Sequence, residues 1–322
     1  GVSDANGSVA AGILQENSVG EDGLLSQSTT LQGNTVTNVS VGAGGVALGI
    51  GVETHLDGTP ISDAFATQTV VLAGNSVSGV LGPQASAAGI AVDNFASYGV
   101  QTQTLVLTAN QVTGVSGDGI RLSNHAYTPD SVISQTLTLG SSGAGNIVSG
   151  AGRDGIVLTN VANGGLVLQS GSVVGNASVY NGGTGLVVTL NAQNSNGPAA
   201  VGQYLSVSGN RLNGNAVGLG FAVAAQGSSA AYVAGGVWSM TGNTIQHNAG
   251  AGSFGVQGSF ASQFVDMSGG GNTITSNGLI RFVFYASAGV QQVNLSNGVS
   301  GNAMNGLNIV SSFGGATQTI NP

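Results

Sequence analysis

An asparagine, usually preceded by glycine and followed two residues on by an apolar side chain, recurs along this chain. It stands at Asn34, Asn75, Asn110, Asn146, Asn176, Asn210, Asn243, Asn272 and Asn302, with 29 to 41 residues between successive copies. Two further landmarks keep step with it. Before the asparagine comes Gln or Thr and then alternating apolar residues, as in Gln68-Thr69-Val70-Val71-Leu72, Gln103-Thr104-Leu105-Val106-Leu107 and Gln135-Thr136-Leu137-Thr138-Leu139. After it comes Gly-apolar-x-apolar, as in Gly45-Val46-Ala47-Leu48, Gly89-Ile90-Ala91-Val92, Gly119-Ile120-Arg121-Leu122, Gly155-Ile156-Val157-Leu158 and Gly185-Leu186-Val187-Val188. A period of 20–50 residues is the mark of a repeat architecture. Alternation with period two is a strand signal, and Gly and Asn accept the positive φ of tight bends. Each repeat therefore reads as three short strands separated by corners, and no helical periodicity of useful length interrupts them. Asn17, in Glu-Asn-Ser-Val, reads as a possible first member of the series.

Composition narrows what such a repeat can do. Only 5% of the 322 residues are charged, against about 25% in an ordinary domain. Twelve acidic residues against four arginines and no lysine give a net charge of −8. That balance argues against a nucleic-acid partner and against a polybasic membrane patch. The 57 glycines show no three-residue period, which excludes collagen, and zero cysteines exclude disulfides and thiolate metal sites. The longest clean apolar run, Ala216 to Ala225, falls well short of a transmembrane helix, so no membrane insertion is expected. Mean hydropathy of +0.28 argues against disorder. The chain opens without a charged-then-apolar leader, and its Ser, Thr, Asn and Gly richness is that of an exported bacterial protein. The expected location is extracellular or on the bacterial cell surface.

In these landmarks the chain resembles the right-handed parallel β-helix superfamily, which includes pectate-lyase-like enzymes, phage tailspikes and autotransporter passenger domains. The resemblance covers about Gly12 to Ile320. The expectation is an all-β, right-handed parallel β-helix of nine to ten coils, three short strands per coil, forming one domain over residues 1–322. Ile90, Ile120, Ile156 and Leu186 should stack as one inward column, and Val92, Leu122, Leu158 and Val188 as a second, about 4.8 Å per coil. The recurrent asparagines should form a ladder of side-chain amides at one corner.

Rare ionisable residues mark the candidate chemistry. Asp118, Arg121, His125 and Asp130 lie in one repeat, with Arg153 and Asp154 in the next. Asp118 and Asp154 both stand immediately before the Gly of the Gly-apolar-x-apolar landmark, so stacking should make them neighbours. In related polysaccharide lyases and hydrolases, carboxylates and a basic residue on an outer strand face bind calcium or do acid–base work. Asp118, Arg121 and Asp154 are thus the catalytic candidates. The plainer reading makes the aspartates turn residues and Arg121 an exposed ion-pair partner. Glu53, His55, Asp57 and Asp63 form a second group in what reads as a long loop, and Glu21-Asp22-Gly23 reads as a turn. No metal and no cofactor is expected.

Eleven of the twelve acidic residues lie at or before Asp154, whereas Trp238, Phe260, Phe264, Phe282, Phe284 and Tyr285 crowd the later part. These aromatics are expected to fill the solenoid's later coils, or else to stack on sugars. Neither end shows a capping helix, and bare solenoid ends tend to add another chain, so two expectations compete: a fragment of a longer passenger, or ends that stack head to tail into a fibre. The leading expectation is an extracellular structural or adhesive solenoid that self-associates head to tail into filaments, with a surface glycan or host surface as the other partner. The alternatives are a polysaccharide lyase or glycosidase, and a glycan-binding adhesin without catalysis.

Overall fold

The computed structural model describes residues 2–4, 9–61, 63–193, 197–226, 232–258, 260–285, 290–294, 299–300 and 317–321. Every regular element among them is a β-strand. Successive strands join three sheets in rotation, so each coil lays one strand on each. Sheet I holds nine strands, from Val9–Val19 to Leu279–Tyr285. Sheet II holds ten, from Leu24–Gln32 to Thr317–Asn321, and sheet III ten, mostly of three residues, from Val2–Asp4 to Val299–Ser300. All described pairings are parallel, and the chain is a right-handed type of β-solenoid. The regular part is about seven turns, fewer than the nine to ten expected from the landmarks. In sheet II the seven strands from Leu24–Gln32 to Tyr232–Thr241 have nine or ten residues, and those that follow shorten to six, five and five.

The apolar columns follow the alternation. Ile50, Ile90, Ile120, Ile156, Leu186 and Leu219 stand in one register line of sheet I, each at most 1% exposed. Val52, Val92, Leu122, Leu158, Val188 and Phe221 form the next. Ile50 rather than Val46 joins the first column, because the second coil's landmark is Gly49-Ile50-Gly51-Val52, four residues beyond the glycine that the spacing favoured. The landmark glycine has a steric cause. A Cβ on Gly49, Gly89 or Gly119 would lie 2.2–2.3 Å from a valine methyl of sheet III and under 3 Å from the carbonyl of the next coil's glycine.

The asparagine corner is a hydrogen-bonded spine. The glycines before it, at Gly33, Gly74, Gly175, Gly209 and Gly242, have φ between 61° and 67°. That left-handed bend turns the asparagine inward. Asn146 shows the pattern. Its Oδ1 accepts the Asn110 backbone N–H at 3.0 Å and Nδ2 at 2.8 Å, while its own Nδ2 donates to Asn176 Oδ1 and to the Leu107 carbonyl, both at 2.9 Å. The same links run from Asn34 through Asn75, Asn110, Asn146, Asn176, Asn210 and Asn243 to Asn272. Asn302 lies outside the described residues. Asn17 is not in this spine; it stands in sheet I, in register with Thr54 and Asn94.

Two more amide ladders are buried. On sheet II, Gln27, Gln68, Gln103, Gln135, Gln169 and Gln203 share one register line, and from Gln68 onward each Nε2 donates to the Oε1 of the glutamine one coil earlier. Opposite them on sheet I, Asn94, Asn124 and Asn160 link to one another and to Gln103, Gln135 and Gln169. After Asn160 the sheet I position becomes Leu190, Val223 and Val256. A second asparagine spine then starts at another corner, Asn181–Asn215–Asn248–Asn277, where the earlier coils place Val39, Val80, Val115 and Ala151.

The glutamine line breaks once, at Gly236. A Cβ there would lie 2.3 Å from the Trp238 ring. Trp238 is fully buried, stacks on Phe221 at 4.4 Å, and donates from Nε1 to Gln203 Oε1 at 2.6 Å. The indole thus takes both the volume and the donor of the missing carboxamide. Of the later aromatics singled out in the sequence, Trp238 lies in the core, joined there by Phe221 and Phe254, whereas Phe264 stands on the outer face of sheet II, which corrects the filling role expected of it. The side chains of Phe282, Phe284 and Tyr285 lie outside the described residues.

Two predictions follow from these ladders. Asn146→Ala strands two buried donors on Asn110 and should cost about 3–5 kcal/mol in denaturant unfolding, whereas Thr102→Ala on the outer face should change stability by no more than about 0.5 kcal/mol. Equal effects would contradict the spine's role. Trp238→Leu should destabilise by about 2–4 kcal/mol, and adding Gly236→Gln should recover much of it by restoring the rung. No recovery would show that the ring does not replace an amide.

Candidate functional site

The charged side chains gather on the outer face of sheet I. Position by position in register, Glu16, Glu53 and Asp93 form one outward column, continued by Ser123 and Thr159. On one side of it run Gly51, Ala91 and Arg121, and on the other His55, Phe95 and His125. Glu53, His55 and Asp57 therefore sit on the strand Val46–Asp57 rather than in a loop, which corrects the sequence reading; Asp63 is exposed and apart from them. Glu21 and Asp22 do form a turn, with Asp22 at φ 52°.

Asp93 is the centre of this group. It is only 5% exposed, and Arg121 Nη2 donates to its Oδ2 at 3.1 Å from the next coil. A buried carboxylate needs such a partner. Burial raises the pKa of Glu53, and the Asp93 charge adds to this; His55, whose Nε2 lies 3.7 Å from Glu53 Oε2, opposes it. Burial pushes His125 the other way and favours its neutral form. The rings form a ladder of their own. Phe95 stacks on His55 at 4.7 Å and on His125 at 5.3 Å, and Tyr127, two residues after His125 in the same coil, lies 6.0 Å from His125 and 6.4 Å from Phe95. Phe95 thus has a ring from the adjoining coil on either side, whereas His55, at the end of the stack, keeps a 42% exposed side chain.

Asp118 and Asp154 are neighbours across coils, as the spacing indicates. The Asp154 backbone N–H donates to Asp118 Oδ1 at 3.4 Å, and the Thr184 N–H donates to Asp154 Oδ1 at 2.6 Å. Arg153 lies 3.8 Å from Asp118 and 4.0 Å from Asp154. Both carboxylates thus hold backbone of the adjoining coil, and burial raises the pKa of Asp118 against the pull of Arg153. Among the described residues no ion pair joins Arg121 to either aspartate; Arg121 pairs with Asp93 instead. Asp130 lies in an exposed turn. Asp93 and Phe95 were absent from the sequence candidates. The signal for them was present, since Glu53 and Asp93 each stand three residues after the inward isoleucine of their coil. Among the described residues no three His, Asp or Glu side chains converge as a metal set.

No family model and no curated protein sequence matches this chain. Two solved structures are similar to it. The A-module of the Azotobacter vinelandii mannuronan C-5 epimerase AlgE6 is 13% identical with a TM-score of 0.25, over 96% of this chain and 91% of that one. A TibC-catalysed hyper-glycosylated TibA fragment is 16% identical with a TM-score of 0.16, over 96% of this chain and 100% of that one. At such scores the functional argument rests on this chain's own residues.

The raised Glu53 pKa gives a pH dependence of known sign. Its contribution to stability is fully present below the ordinary glutamate value of 4.5 and is lost as pH rises through the raised folded value. Glu53→Gln should therefore gain thermal stability relative to the parent as pH rises from about 4 to about 8. A difference between the two that stays constant across this range would contradict the assigned environment.

Proposed function

We propose that this chain is an extracellular structural or adhesive β-solenoid of a bacterial surface, without catalytic activity. The observation that carries the reading is where the polar side chains go. The asparagine and glutamine ladders spend their donors and acceptors on coil-to-coil bonds. Asp118 and Asp154 hold backbone, and Arg121 and Asp93 are committed to each other. A rod joined by one set of bonds per coil carries load evenly along its axis and offers a protease few loops. Head-to-tail association of such rods into filaments belongs to the same proposal, since coil stacking already uses parallel strand pairing throughout. A low charge content leaves little repulsion against it.

A second reading has one specific observation in its favour. Glu53, Asp93, Arg121 and His125 bring together a carboxyl with raised pKa, an ion pair and a neutral imidazole on one exposed face. That set could bind or turn over a polysaccharide by general acid–base chemistry. Purified protein should resist digestion, appear as rods or filaments in electron micrographs, and leave a panel of acidic and neutral polysaccharides unchanged. Turnover that is lost in Arg121→Ala, or dispersed protease-labile particles at high concentration, would overturn the structural reading.

A further inference from the structure

We propose that the outer face of sheet II is a lateral contact surface for a second copy of this chain, paired about a two-fold axis. Charge is the first observation. The seven full-length strands of this sheet, from Leu24–Gln32 to Tyr232–Thr241, contain no Asp, Glu, Lys, Arg or His. The chain as a whole carries −8, and the outer face of sheet I holds the carboxylates Glu16, Glu53 and Asp93. Two copies of an acidic protein meet without like-charge repulsion where the surface carries no charge, and sheet II offers such a surface over its seven full-length strands; beyond them Asp266, at the end of Ala261–Asp266, is the one charged residue on the described strands of this sheet, and its carboxylate accepts from Ser268.

Exposed apolar side chains are the second observation. Leu24, Phe65, Leu168, Tyr204, Val237 and Val290 are all more than a third exposed, and all stand on strands of this sheet. The face spans seven strands about 4.8 Å apart and nine to ten residues at about 3.3 Å each, or roughly 1,000 Å². A standard interface needs about 800 Å² per partner.

Shape supplies the third. Gly202, Gly235 and Ser262 occupy one outward register line, and a Cβ on Gly235 would meet nothing within 4 Å. Beside them run Tyr204, Val237 and Phe264. The small residues floor a groove of about 330 Å³ that Tyr204, Phe264 and Val290 border. Tyr204, 63% exposed, thus stands as a knob next to a hole on the same face. An isologous contact requires this self-complementarity, each copy placing its ring in the other's groove. A saccharide could also lie against Tyr204, but it would not use the charge-free surface that extends several coils beyond the groove.

The test uses sedimentation equilibrium on the full chain. The parent should show a concentration-dependent dimer. Val237→Glu places like charges at the contact and should weaken it roughly a hundredfold. Tyr204→Ala should weaken it as well, and Thr159→Glu on sheet I should leave it unchanged, with thermal melting of each variant confirming the fold. Since the chain has no cysteine, Gly235→Cys treated with a short bis-maleimide should yield covalent dimers, and Thr159→Cys should not. A parent that stays monomeric at every concentration, a dimer indifferent to Val237→Glu, or cross-linking equal at Gly235 and Thr159 would overturn the proposal. So would a monomer whose saccharide binding is lost in Tyr204→Ala. Filaments that persist in Val237→Glu would leave end-to-end association intact while removing lateral pairing, so the two proposals fail separately.

Discussion

The fold depends on one kind of bond, the buried amide that reaches from each coil to the next. Backbone pairing alone would let parallel strands slip, because every rung offers the same donors and acceptors. A slip of one residue would turn the apolar columns outward. The corner asparagine removes that freedom. It accepts the backbone N–H of its counterpart, returns a donor to the neighbouring coil's carbonyl, and satisfies itself only when the coils are in register. The glutamine line on sheet II and the asparagines of sheet I apply the same constraint inside the core. Since a buried amide left unpaired costs about 1–3 kcal/mol, each ladder penalises misregister at every step.

Much of this was legible in the sequence, for physical reasons. The spine asparagines recur because their corner recurs, and the inward isoleucines recur because a strand alternates. The slip at Gly45 arose because two Gly-apolar-x-apolar matches, at Gly45 and Gly49, lie four residues apart, and only pairing to the neighbouring coil distinguishes them. The second asparagine spine was readable as Asn-x4-Asn from Asn176 onward but hid behind the first. Trp238 standing in for a glutamine rung could not be read locally, because the gap it fills is at Gly236 and its acceptor belongs to another coil.

The outer surface was harder to read than the core. Arg121 was expected outward, and it is, but its partner lies 28 residues earlier on the preceding coil. Sequence proximity favoured Asp118 instead. The charged group that results is built from one or two residues contributed by each of several successive coils. Charge on sheet I and its absence from the seven full-length strands of sheet II give the rod two unlike sides, a division that follows the three-strand rotation and is scrambled along the sequence.

The most direct test of the register-locking amides is hydrogen exchange at the backbone N–H groups of Asn75, Asn110, Asn146, Asn176, Asn210 and Asn243. These sit at corners between strands, where side-chain carbonyls of the next coil are their acceptors. The account predicts protection comparable to that of the sheet interiors, and its selective loss at Asn110 when Asn146 is replaced by alanine. Corner amides that exchange as fast as those of exposed turns, with the strands still protected, would contradict it.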